Sequence, residues 1–203
     1  MQLLTSPAYD RLLTDDRNFH LVFLVVGGPF TLALFILSGF SWMRFRRAYR
    51  RSFPRRTYVC FAAVSLILGL LMTVVFVANV TSVVDPGQTL SGTTFSPLGA
   101  AWLQSGRAQL SPLLQHAIDE RLAWQRPKAV ICTVLLVAFG ALTGFLWRAL
   151  IRQSTSDEQL RKVSRLMLGA GVLSAGACLL LMVMVIGNAE GALHPLFLAV
   201  LYG

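Results

Sequence analysis

With 203 residues, 55% apolar side chains and only 13% charged ones, the chain is too apolar to be a water-soluble domain of its size. The net charge of +9 does not point to nucleic acid, because the cations stand directly beside long apolar runs rather than on a separate polar domain. Cys60, Cys132 and Cys178 all fall inside apolar runs, which leaves no CxxC redox pair and no disulfide framework and makes each a small core residue.

Residues 1–20 carry Asp10, Arg11, Asp15, Asp16 and Arg17 and lack the basic end and apolar centre of a secretory signal, so they read as a polar extracytoplasmic tail. Residues 21–43 hold no charge and are long enough to cross roughly 30 Å of hydrocarbon at about 1.5 Å per residue, which predicts the first span. Within it, Gly27-Gly28-Pro29 predicts a kink, since Pro29 removes one backbone hydrogen bond and crowds the carbonyl of Val25. Segment 44–56 follows with Arg44, Arg46, Arg47, Arg50, Arg51, Arg55 and Arg56 and no acid among them. Residues 57–84 form the second span, closed by Asp85-Pro86-Gly87 as a turn.

The connection 85–127 is the one sizeable polar segment. Inside it Ser111 and Pro112 fit the N-cap and first position of a short amphipathic helix, with Leu113, Leu114, Ala117, Ile118 and Leu122 on one face and Pro127 expected to stop the run. Residues 128–151 are the third span, 152–165 a second short basic connection, 166–187 the fourth span and 188–203 a tail. Thr155-Ser156-Asp157-Glu158 fits a capping box, so helix four is expected to begin near Ser156. Leu196 to Tyr202 is apolar but too short to span, and is expected on the membrane face or against the bundle.

Cations concentrate in the two short connections, which are therefore cytoplasmic. Trp42 and Trp147 stand just before Arg44 and Arg148, at the level of an aromatic belt. The expected fold is all-α: an integral membrane four-transmembrane-helix bundle, N-out and C-out, with the amphipathic helix in its extracytoplasmic loop. The arginine bias of its basic residues fits a high-G+C bacterial origin, and the location follows as the bacterial cytoplasmic membrane.

Apart from Lys128 and Arg148 toward the ends of the third, no Asp, Glu, Lys, Arg or His falls inside the expected spans, and the lack of a midplane ionisable group argues against a self-sufficient ion-coupled carrier. Gly140 and Gly144 form a GxxxG, and Gly169, Gly171, Ser174, Ala175 and Cys178 give helix four a ridge of small residues. Such faces let helix backbones approach closely, either inside one bundle or against a partner subunit. The seven arginines of 44–56 are topology determinants and candidate contacts for lipid headgroups at the inner leaflet. His20, His116 and His194 are all expected on the outer side; His116 and Glu120 have the i, i+4 spacing of a chelating pair, but no HExxH accompanies them and no GxSxG supports a nucleophile. No metal, cofactor or catalytic residue is therefore assigned.

The stretch Arg11-Leu-Leu-Thr-Asp-Asp-Arg-Asn-Phe-His-Leu-Val-Phe23, entering a span that ends in an arginine cluster, resembles the start of uncharacterised four-helix membrane proteins of high-G+C bacteria. One such protein is an accessory subunit of mammalian-cell-entry-type (MCE) lipid importers. The resemblance implies docking on a permease and modulation or stabilisation of the assembly, and it carries no functional residue across. The resulting expectation is a non-catalytic accessory subunit of a larger membrane complex, an envelope lipid transporter, whose partners are membrane lipids and other integral membrane subunits. Two alternatives stay open: a lipid- or quinone-handling enzyme using the outer histidines, and a minimal homo-oligomeric carrier.

Overall fold

The computed structural model describes residues 6–50, 53–153 and 160–202, with side chains described outside 153 and 160–165. The described residues form α1 (Pro7–Arg47), α2 (Phe53–Val84), α3 (Pro86–Leu90), α4 (Pro97–Ser105), α5 (Pro112–Gln153), α6 (Leu160–Leu193) and α7 (Pro195–Tyr202). Four of these, α1, α2, α5 and α6, contain stretches long and apolar enough to cross a membrane, with mean hydropathy between 2.3 and 2.7 over their most apolar windows.

The long helices extend past the apolar runs that define the spans. Helix α1 begins at Pro7, so Asp10, Asp15, Asp16 and His20 lie on its first turns rather than in an irregular tail. It ends with Arg44, Arg46 and Arg47 in its last turn, where cations offset the negative end of the helix dipole. Ser111 does cap α5, accepting from the backbone N–H of Leu114 at 3.2 Å. The helix it starts does not stop at Pro127 but runs on unbroken to Gln153. One missing N–H removes a single ladder bond from a 42-residue helix, and the remaining bonds carry the backbone through. The predicted short amphipathic helix is thus the first part of α5. Pro29 likewise sits inside a continuous α1. Asp85 accepts from the Gln88 N–H at 3.2 Å, so the 85–87 turn opens the short helix α3. The capping box Thr155 to Glu158 lies outside the described residues, and α6 runs on beyond Gly187 to Leu193.

The chain divides into two compact units. The first comprises 1–28, 74–130 and 185–203. Its core is a true hydrophobic cluster in which Ala8 and Leu12 of α1, Trp102 and Leu103 of α4, Leu114 and Ile118 of α5 and Leu196, Phe197, Ala199 and Val200 of α7 are all buried. The terminal apolar segment, expected on the membrane face or against the bundle, is packed against the other helices of this unit as part of its core. Two features seat it. Both the backbone N–H and the hydroxyl of Ser96 donate to the Val200 carbonyl at 2.9 Å, and Gly99 offers no side chain where that carbonyl approaches, since an added Cβ would collide with the Val200 oxygen. At the other end of α7, the Asp15 carboxylate accepts from the Phe197 N–H at 2.8 Å and lies 3.2 Å from His194 Nδ1, capping the helix from a neighbouring one.

The second unit comprises 29–73 and 131–184. Helices α1 and α2 meet where Ser38 donates to the Ala62 carbonyl at 2.9 Å and where Phe35 lies against Gly69. The Phe61 ring of α2 meets Trp147 of α5 edge-on at 4.7 Å. Helices α5 and α6 meet through Thr143 and Ser174, whose hydroxyls are 2.7 Å apart, with Ser174 also donating to the Phe139 carbonyl at 3.2 Å.

Candidate functional site

The second unit carries the feature with the clearest chemical shape. Helices α1, α2 and α5 border an open groove of about 820 Å³. Its depth is apolar, walled by Leu37, Phe40, Phe61 and Trp147, and its α5 wall includes Gly140 and Gly144. Arg44, Arg148 and Arg152 line it as well, and all three are exposed. The spacing explains the arrangement: Arg148 and Arg152 are i, i+4 on one face of α5, one turn beyond Gly144. Arg44 stands one turn beyond Phe40 on α1, with its guanidinium 5.1 Å from the centre of that ring. Among the described residues no carboxylate lines this groove. A second, almost wholly apolar groove of about 600 Å³ is bordered by Arg56, Val64, Trp147, Val172 and Gly176.

The small residues singled out in the sequence separate into two sets. Gly171, Ser174, Ala175 and Cys178 lie toward the inside of the second unit. An added Cβ at Gly171 would meet Trp147 at 3.3 Å, Ser174 is only 3% exposed, and Cys178 Sγ lies 3.6 Å from the Thr143 hydroxyl. Gly140, Gly144 and Gly169 are exposed, and a Cβ at any of them would meet nothing within 4 Å. The same holds for Gly176. Only 6% of the most apolar window of α5 is buried within the chain, against 33% for α6. Val130, Val134, Val137 and Phe145 form an exposed row along α5, with Ala141 between them.

Of the predicted inner-leaflet cations, Arg44, Arg46, Arg47, Arg50 and Arg56 are exposed, while Arg55 packs its guanidinium 4.6 Å from the Phe45 ring centre. Arg51 lies outside the described residues. Among the described residues of this set only Arg44 reaches the large groove, whose other cations, Arg148 and Arg152, come from α5.

The histidines have different surroundings. His116 and Glu120 approach to 3.4 Å, but both side chains are about 70% exposed, a solvated surface pair. His20 is held inside the first unit. Its Nδ1 is 2.8 Å from Asn79 Oδ1, and Asn79 uses its Nδ2 on the Val75 carbonyl. That leaves the asparagine oxygen as acceptor and places a proton on Nδ1. The other ring nitrogen faces Asp16 Oδ1 at 3.3 Å without hydrogen-bond alignment. Asp16 is fully buried, and Glu190, 9% exposed, belongs to the same unit. The imidazole is thus the polar neighbour that the buried Asp16 carboxylate faces. The sequence carried a signal for this pair, the i, i+4 spacing of Asp16 and His20, the same spacing that drew attention to His116 and Glu120. What it lacked was the knowledge that α1 begins at Pro7. Among the described residues no three His, Cys, Asp or Glu side chains converge in a way that could hold a metal ion.

No family model matches the chain, and no curated protein or solved structure matches it. The structure defines the class: a multi-pass α-helical membrane protein with four helices able to span the bilayer.

Proposed function

We propose that this protein is a non-catalytic accessory subunit of a larger complex in the bacterial cytoplasmic membrane, an envelope lipid transporter, which it stabilises or modulates by docking through its transmembrane helices. The observation that carries the reading is the unburied small-residue face of α5. Glycine inside a helix costs about 1 kcal/mol relative to alanine, and close helix packing is what repays that cost in lipid. Among the described residues Gly140 and Gly144 find no such packing, since a Cβ there would meet nothing within 4 Å. A partner helix laid along Val137, Ala141 and Gly144 would supply it. The resemblance to accessory subunits of MCE-type importers supports the choice of complex.

Purification in mild detergent tests this reading. The account expects further membrane subunits to co-purify, and expects Gly140→Leu with Gly144→Leu to lower their recovery about tenfold, the loss of roughly 1.4 kcal/mol of association, while the chain still inserts. Unchanged recovery removes those glycines from the interface. A bound metal or organic cofactor would favour the enzyme alternative, and a pure homo-oligomer the carrier.

A further inference from the structure

We propose that the large groove of the second unit is a binding site for one anionic phospholipid, with the phosphate held between Arg44 and Arg148 and an acyl chain lying along the wall of Phe40, Phe61 and Trp147. The proposal goes beyond docking on a partner, because the groove is complete within the isolated chain.

Three observations carry it. The first is charge: the exposed guanidiniums of Arg44 and Arg148, from two helices, border a single groove, and among the described residues no acid lines it. Guanidinium forks match phosphate oxygens in pairs, so such a cluster selects a phosphate over a zwitterionic surface. The second is shape. The groove holds about 820 Å³ and continues from the cations into a wall of aromatic and aliphatic side chains, the amphipathic outline of a lipid. The third is position. Arg44 and Arg148 follow Trp42 and Trp147 by one or two residues at the ends of apolar runs, where a headgroup phosphate resides. Arg44 is also held over the Phe40 ring, so its guanidinium stays on the groove wall. Arg46, Arg47 and Arg50 are equally exposed but do not line the groove, which separates a site from a diffuse basic belt.

The test is native mass spectrometry of the purified full-length chain released from micelles containing equal phosphatidylglycerol and phosphatidylcholine. The wild type is expected to retain one phosphatidylglycerol per chain, preferred over phosphatidylcholine by at least about tenfold. Arg44→Gln with Arg148→Gln should abolish the preference, whereas Arg46→Gln with Arg47→Gln should keep it. Retention by the groove double variant, or equal loss in the control double variant, overturns the proposal. Displacement of the bound lipid by millimolar inorganic phosphate also overturns it, since a site that grips the acyl chain does not yield to the free anion. Because the measurement is made without a partner, its failure leaves the docking reading standing, and failure of docking leaves the groove intact.

Discussion

Gly99 and Ser96 decide how the last helix is held. The Val200 carbonyl receives both donors of Ser96, and the approach is open only because Gly99 has no side chain. Here the glycine's value is space. Gly99→Ala forces the α4 and α7 backbones apart and is expected to cost about 1–3 kcal/mol, read as faster hydrogen exchange at 195–202 and a lower melting temperature with membrane insertion intact. Unchanged exchange there would mean that the contact does not seat α7. Residue-scale chemistry of this kind was poorly legible in the sequence: the Ser96-Pro97 start of α4 is an ordinary helix signal, whereas its contact with Val200 joins residues about a hundred positions apart. The Asp16–His20 pair was legible in its spacing and hidden by the expectation that residues 1–20 form a tail.

Among the elements, α5 and α6 show where pattern reading holds and where it needs packing. Hydropathy alone located all four apolar runs, because in lipid a helix must satisfy its own backbone and leaves a long uncharged signature. It could not place the ends, since polar turns continue a helix when tertiary contacts support them. Leu114 and Ile118 of α5 are buried in the core of the first unit, and that burial extends the helix ahead of Pro127. Small residues carried a face but not its partner. Ser174 looked interchangeable with its neighbours on the ridge, yet its hydroxyl binds both Thr143 and the Phe139 carbonyl. Ser174→Val is therefore expected to weaken the α5–α6 contact by about 0.6 kcal/mol, the usual size of an interhelical hydrogen bond in a membrane. Reversible unfolding in mixed micelles measures it, and a gain in stability would show that the bond contributes nothing net. Gly140 and Gly144, similar in the sequence, face open space.

For the whole molecule, the uneven spread of charge is the organising fact. Twelve cations fall in the segments 44–56 and 148–165, whereas the polar residues of 85–127 belong to a unit with a packed core. The positive-inside rule predicts that the arginine segments face the cytoplasm. Both proposals depend on this: a partner met in the bilayer through α5, and an anionic lipid drawn from the leaflet beside Arg44 and Arg148. Single cysteines at Tyr49 and Arg107, each introduced into a chain whose Cys60, Cys132 and Cys178 are replaced by Ala, test it with a membrane-impermeant maleimide. The account predicts that position 107 labels in intact cells and position 49 only after the membrane is opened. Labelling of position 49 in intact cells, or recovery of the chain in the soluble fraction without detergent, would contradict it.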